Sequence, residues 1–472
     1  MTAELKNESH TNISANGLSK VDNGKRWPQI LAILTVSLGS FTNGVLFVWS
    51  SPFTLVITKD KENYSITESE ASYFNVMQPV GMLTASLFFF KIAEFLGRKK
   101  AVMSLALPHL ISWIITIFAR SKWEFYAARI MAGIADACMF CSVPPYVGEI
   151  CTPEVRGFWG NVPTFILYVG QVCITILGSY LSVQTTAYIC MTVPIIFVVL
   201  VSILPESPYQ LIKDGKYDEA KSSIMWLQRK ENVEHEFVAM KFDVERQTSE
   251  SARWRDLIFI ESNRKALRAG TFLRFSQQLS GVAVFASYTQ PIFEKAGGSI
   301  SPQISSMIFL GLIAVLNLFC SFGVDRFGRR LSYFYSILIC GFILLGMSLY
   351  FIFDQYQFID VSSLSWFPLA GMLSWTVCYS FGLGVVPTLM LGELFSVSIK
   401  SKGLCILIVF FGLSVFLTTN LFHLFTSNIG MFSPYMIYGL CCLVSAFITL
   451  RWVPETKGKT LEEIQQSLKK GY

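Results

Sequence analysis

The chain has 472 residues, of which 52% are hydrophobic and 15% charged, with 40 Phe. A soluble domain of this length carries about 25% charged residues, so water is excluded as the solvent for most of the chain and a lipid bilayer is implied. The net charge of +6 reflects where Lys and Arg fall between apolar segments, and it gives no argument for a nucleic-acid partner.

Residues 1–27 form a polar tail rich in Ser and Asn, without the cleavage-site pattern of a secretory leader. Beyond it, apolar windows of about 20 residues, enough to cross a bilayer core of about 30 Å, recur twelve times. They lie near 28–50, 70–92, 101–119, 124–147, 158–182, 186–204, 267–292, 302–324, 331–353, 365–392, 403–426 and 431–453. One side of this arrangement receives Lys25, Arg26, Arg98, Lys99, Lys100, Arg156, Arg329, Arg330, Lys400 and the basic central segment. The other receives only Lys59, Lys61, Arg120, Lys122 and Lys295. That bias places both termini in the cytoplasm.

The first outer loop then carries a glycosylation sequon, Asn63-Tyr64-Ser65; the sequons at Asn7 and Asn12 fall on the cytoplasmic side. In the fourth span, Arg129 and Asp136 are seven residues apart, about 10 Å along the axis and on nearly the same helix face. Ionisable groups inside a membrane are functional candidates by default; the alternative for Asp136 is a neutral carboxyl bonded to a neighbouring hydroxyl. Cys138 and Cys141 form a CxxC, but in an apolar helix with no second pair this reads as core packing, and no metal is expected. None of the eleven cysteines falls in an outer loop, so no structural disulfide is expected.

After the sixth span, Ser207-Pro208 offers an N-cap with Pro in the first helical position, and Gly215 a stop. The charged segment 205–265 is therefore predicted as helical cytoplasmic linker. The seventh span carries adjacent amides, Gln277 and Gln278, in an otherwise apolar run, and Gly382, Gly384 and Pro387 interrupt the tenth. Thr460-Leu-Glu-Glu463 is a capping box for a surface helix in the tail.

Three motifs occur twice in the same order. EFLGRKK (94–100) returns as DRFGRR (325–330), GEICTPEVRG (148–157) as GELFSVSIKSKG (392–403), and PESP (205–208) as PETKGKT (454–460), with offsets of 231, 244 and 249 residues. One repeat of six spans explains all three. The predicted fold is an all-α membrane protein of twelve transmembrane helices in two six-helix halves, 28–204 and 266–453, joined by the 205–265 linker and followed by a 454–472 tail. The repeated acids and bases suggest a belt of ion pairs: Glu149 with Arg156, Glu393 with Lys400, and Arg98, Glu206, Asp325, Arg329 and Glu455 beside them. Surface pairs contribute about 0–1 kcal/mol each, a size suited to biasing two states of similar energy.

RIMAG (129–133), PPYVGE (144–149), RG (156–157), PESP, QQLSG (277–281), DRFGRR, GELF and PETKGKTLEEI together resemble the sugar porter family of the major facilitator superfamily, across nearly the whole chain. VWSSP (48–52) and NVPT (161–164) look most like the insect facilitated trehalose transporters. The resemblance implies that Gln277 and Gln278 meet sugar hydroxyls, an amide being both donor and acceptor, with Tyr288, Thr164 and Thr388 completing the substrate-binding set. The alternative for the amides is a helix–helix hydrogen bond.

The pocket also departs from the family pattern. Ala283, Ile313 and Phe411-Gly412 stand where the family has Asn, Asn and Asn-Trp, with Asn317 one turn from Ile313. Thr164 replaces a Gln and Thr388 a Trp, while Glu94 and Phe95 alter the first loop motif. Each lost hydroxyl partner removes about 0.5–1.5 kcal/mol, so several weaken binding of ordinary sugars tenfold to a thousandfold. Proton-coupled relatives carry an Asp in the first helix, where this chain has Thr42 and Asn43. The expected function is facilitative uniport of trehalose or a related sugar by alternating access, in the plasma membrane, with no cofactor and no obligate protein partner. The rivals are a proton-coupled symporter of another small polar solute using Asp136 and a non-transporting sugar sensor. The four His are scattered and no nucleotide-binding loop is present, so no enzyme activity is expected.

Overall fold

The computed structural model describes residues 24–249, 253–298, 300–357, 362–396, 399–459 and 461–470. Among the described residues, twelve membrane spans follow one another in chain order. The first runs over Trp27–Val48 and continues past Trp49 as Ser50–Lys59, the second is Phe74–Leu96, and the third is Arg98–Ser104 with Ala106–Phe118. The fourth is Lys122–Ile150, the fifth Val162–Tyr180 and the sixth Val183–Ile203. In the second half come the eighth, Pro302–Phe327, the ninth, Arg329–Tyr356, the eleventh, Lys400–Asn428, and the twelfth, Phe432–Trp452. The seventh and tenth are broken, and both breaks lie where polar groups gather.

Local chemistry sets the ends. Thr67 and Glu70 form a reciprocal capping box before the second span, the Glu70 carboxylate accepting from the Thr67 N–H at 2.9 Å; Ser121 and Glu124 repeat the device before the fourth. Gly97 and Gly328, at φ 83° and 90°, turn the chain from the second span into the third and from the eighth into the ninth, a left-handed conformation that costs other residues about 1–2 kcal/mol. The linker holds Pro208–Lys213, Tyr217–Gln228, Glu234–Ser249 and Asp256–Phe259. Ser207 caps the first of these by accepting from the Gln210 N–H, and Gly215, at φ 75°, follows its end. The tail helix Leu461–Lys470 packs on the seventh span through Ile464 and Leu468, both buried; its expected cap, Thr460, lies outside the described residues.

A seventh span predicted as one helix is instead three segments, Glu261–Leu279, Val282–Ser287 and Thr289–Ala296. Gly281 at φ 91° takes a conformation that leaves the helix. The tenth stops at Ser380 and resumes at Val386, around Gly382 and Gly384. Non-helical backbone at membrane depth needs partners for its freed polar groups, and the ninth span supplies them: the Ser336 hydroxyl donates to the Cys378 carbonyl at 2.6 Å and accepts from the Leu383 N–H at 3.0 Å.

Within the first half the second span lies along the fourth and the first along the fifth; in the second half the ninth lies along the twelfth. The halves meet where the eighth packs on the fifth and the eleventh on the second. Those two contacts are the same contact with the repeats exchanged, as a six-span duplication requires. Gly81 and Gly133 sit at the crossing of the second and fourth spans, where a side chain would run into the backbone at Ile130 and at Gln78 respectively. That close approach brings Gln78 onto the fourth span.

Candidate functional site

The amide pair of the seventh span divides in two. Gln277 is committed to the protein: its Nε2 donates to the Leu383 carbonyl at 2.8 Å and to the Tyr379 hydroxyl at 3.4 Å, and its Oε1 accepts from Arg274 at 3.1 Å. The carbonyl it satisfies is one that the break in the tenth span released. Gln278 is 3% exposed, yet its Oε1 has no hydrogen-bond partner. Leaving a buried acceptor unpaired costs about 1–3 kcal/mol, which a ligand hydroxyl or a water would recover.

Arg274, which none of the repeated motifs marks, lies one turn from the pair, and its guanidinium stacks 5.2 Å from the centroid of Phe411. Phe411 also meets Phe140 of the fourth span edge-on at 5.3 Å, so this aromatic contact bridges the halves. A charged residue inside an apolar span was the available signal. Of the other expected substrate contacts, Thr164 and Thr388 are exposed on the fifth and tenth spans. Tyr288 is buried, and its hydroxyl donates at 3.0 Å to the carbonyl of Ser72 in the first half. Ala283 and Ile313 are buried apolar residues.

A second polar cluster lies in the first half. Arg129 and Asp136 are joined through Gln78, whose Oε1 accepts from the guanidinium and whose Nε2 donates to the Asp136 Oδ2 at 2.7 Å. Arg129 also donates to the carbonyls of Leu46 at 2.6 Å and Phe74 at 3.2 Å and stacks on Trp49. The Asp136 Oδ1 and both polar atoms of Asn75 are buried and make no hydrogen bond of good geometry, with Asn43 beside Asp136 and Tyr288 beside Asn75. Asp136, Asn75 and Gln78 line a cavity closed from the second half by Ser287, Val415 and Thr419. Its volume of ≈ 10 Å³ leaves room for no more than about one water. In this conformation the halves are therefore closed upon it.

At the end of the bundle where the first span begins at Trp27 and the twelfth ends at Trp452, two matching knots appear. Arg98 binds Glu149 at 2.9 Å, and the other Glu149 oxygen accepts from the Ser207 hydroxyl at 2.5 Å. In the second half Arg329 binds Glu393 at 3.2 Å, whose other oxygen accepts from Thr456 at 2.5 Å. Glu206 accepts from the Lys99 N–H at 2.8 Å, and Glu455 from the N–H groups of Arg329 and Arg330 at 3.0 and 3.1 Å, so each caps the helix that follows its glycine turn. Burial works against ionisation of Glu455, but the N–H groups of Lys457, Arg329, Arg330 and Thr456 outweigh it and hold the carboxyl below its usual range. The expected partners are corrected here. Glu149 pairs with Arg98 rather than Arg156, and Glu393 with Arg329 rather than Lys400, whose Nζ donates to the Gly392 carbonyl. A seven-residue spacing across a helix end does not hold a base beside its acid once the chain turns. The side chain of Asp325 lies outside the described residues.

The opposite end joins the halves directly. Besides the Tyr288 latch, Lys59 pairs with Glu294 at 2.6 Å, the Gln290 N–H donates to the Ser51 hydroxyl at 3.0 Å, and the Gln290 amide donates to Ser179 at 3.2 Å. Asn63 is exposed at this end, its amide donating to Asp60 at 2.9 Å.

The family model for "Sugar (and other) transporter" matches residues 31–468. A facilitated trehalose transporter, Tret1, of Polypedilum vanderplanki is 31% identical over 94% of this chain and 88% of its own length. The Tret1 of Anopheles gambiae is also 31% identical, but the chain spans only 56% of that relative. Among solved structures, the major facilitator superfamily proton:xylose symporter XylE bound to 6-bromo-6-deoxy-D-glucose superposes with a TM-score of 0.73 at 20% identity, over 94% of this chain and 99% of that one. The inward-open form of the xylose transporter XylE from E. coli gives 0.72 at 19% identity, over 92% and 98%; both show a shared fold. With duplicated six-span halves, a buried amide between the broken helices, and this family match over nearly its whole length, the chain belongs to the sugar (and other) transporter family.

Proposed function

We propose that the chain carries trehalose or a related sugar across the plasma membrane by facilitated diffusion, with both termini in the cytoplasm. The observation that carries this reading is Gln278, a buried amide whose oxygen has no protein partner, beside the breaks in the seventh and tenth spans. Its relatives' names supply the sugar. The paired knots hold each half together as one body, and the contacts of Tyr288, Gln290 and Lys59 with the first half open when the halves rock apart. Gln278 contributes the hydroxyl contact, and Gln277 holds the tenth-span break in place. Asn63 is the glycan acceptor on the outer side.

The buried Asp136 Oδ1, facing a cavity at the boundary between the halves, favours a second reading in which transport is coupled to protons. Uptake of labelled trehalose and glucose into proteoliposomes, with and without an inward proton gradient, tests both. Saturable uptake indifferent to the gradient and weakened by Gln278→Ala supports facilitated diffusion. Gradient-driven accumulation lost in Asp136→Asn supports coupling. No uptake of either sugar sinks both for these substrates.

A further inference from the structure

Three other arginines of the described bundle are each held by a carboxylate or by several hydrogen bonds. Arg98 and Arg329 pair with glutamates, and Arg129 spends its donors on two carbonyls and Gln78. Arg274 differs. Its one protein hydrogen bond runs to a neutral amide, Gln277 Oε1, and no carboxylate of the described residues pairs with it. A guanidinium offers five N–H donors, and a cation within a membrane-spanning helix is costly unless a counter-charge or water meets it. The ionisable groups facing it are the phenols of Tyr379 and Tyr333. The Tyr379 hydroxyl accepts from Gln277 and that of Tyr333 contacts Ser276 and the Leu273 carbonyl, so neither is a counter-charge.

The residue is also reachable, because Arg274 is partly exposed where Arg129 is 2% exposed. Phe411 lies against its plane on one side, and of its donors only Nη1 is engaged by the described residues, through Gln277. Arg274 and Gln278 are four residues apart on one helix, hence on one face with side chains about 5–6 Å apart at their base. A single small molecule spans that distance, its hydroxyl on the unpartnered Gln278 oxygen and a negative group on the guanidinium.

We propose that the solute carried between the halves is a polyhydroxylated molecule bearing an anionic group, a carboxylate or a phosphate, whose charge is held by Arg274. The inference rests on the transport reading above and puts an anionic sugar derivative in the place of neutral trehalose as the preferred solute. Arg274 is then the specificity-determining residue: a planar fork binds carboxylate or phosphate oxygens in pairs, which a neutral sugar cannot reproduce.

The test is competition and uptake in proteoliposomes with four labelled solutes, glucose, trehalose, glucuronate and glucose 6-phosphate, for the unaltered protein, Arg274→Gln and Arg274→Lys. The expected result is that glucuronate or glucose 6-phosphate enters and competes about 10–150-fold better than glucose, the range a charge-assisted hydrogen bond supplies. In Arg274→Gln the ratio of anion to glucose uptake should fall to about one, and Arg274→Lys should keep part of the preference. Saturable entry of a neutral sugar with neither anion competing better than glucose overturns the proposal and leaves the sugar-transport reading intact. Preference undiminished in Arg274→Gln also overturns it. If no solute enters, the transport reading fails, and melting temperatures of the purified protein decide the site. Stabilisation by an anion but not by glucose, abolished in Arg274→Gln, supports the anion site, and no difference between anion and glucose overturns it. Where Arg274→Gln does not fold, the unaltered protein and Arg274→Lys carry the same comparison.

Discussion

Replacing Tyr288 by Phe removes one oxygen from the latch between the halves and leaves the ring in place. The ring lies 4.9 Å from Phe422 and is buried, so packing is conserved and the lost contact is the hydrogen bond to the Ser72 carbonyl at 3.0 Å. A buried neutral hydrogen bond contributes about 0.5–1.5 kcal/mol net. Because the bond exists only while this end is shut, that energy enters the closed-to-open equilibrium in full, a shift of about 2–13-fold toward the open form. Spin labels at Glu62→Cys and Ser301→Cys, both exposed and on opposite halves, report it as a growing long-distance population in a background freed of reactive cysteines. If the distance distribution is unchanged while KM for sugar rises, Tyr288 is a substrate ligand, and the latch reasoning is refuted.

The amide pair should separate under mutation. Gln278→Ala is expected to raise KM for sugar by about 2–13-fold, one hydrogen bond's worth, with little change in melting temperature. Gln277→Ala should lower the melting temperature, since it strands the Leu383 carbonyl at about 1–3 kcal/mol. Gly97→Ala forces a left-handed backbone and brings its Cβ to 3.1 Å from Glu206 Oε2; a loss of about 1–2 kcal/mol, read by thermal melting, is expected, and an unchanged melt would count against the turn argument. The Glu70 carboxyl is held down to about 2 by Lys122 first and then by Thr67. A depressed pKa gives stabilisation that is present above the unfolded value of 4.5 and lost as pH falls toward 2. The melting difference between the unaltered protein and Glu70→Gln should therefore be flat above pH 4.5 and vanish toward pH 2.

The twelve spans, the duplicated halves and the glycine turns at 97 and 328 were legible because bilayer thickness fixes how long an apolar run must be, and because a turn between antiparallel helices demands a residue that tolerates positive φ. Gln277 and Gln278 stood out for the same reason: an amide in an apolar run must have a partner. Which partner it has is decided by other helices. Gln277 meets a carbonyl 106 positions away that exists only because the tenth span breaks, and Gln78 stands between Arg129 and Asp136 because two glycines let the second and fourth spans approach closely. The acids of the repeated motifs were visible as acids, but their bases come from a different turn of the fold, Arg98 and Arg329. Sequence by itself determined which groups cannot face lipid, since desolvation is a property of each residue. The tertiary structure alone decided which of those groups are spent on the protein and which, like the Gln278 oxygen, have no partner among the described residues, because a hydrogen bond is settled by geometry between helices far apart in the chain.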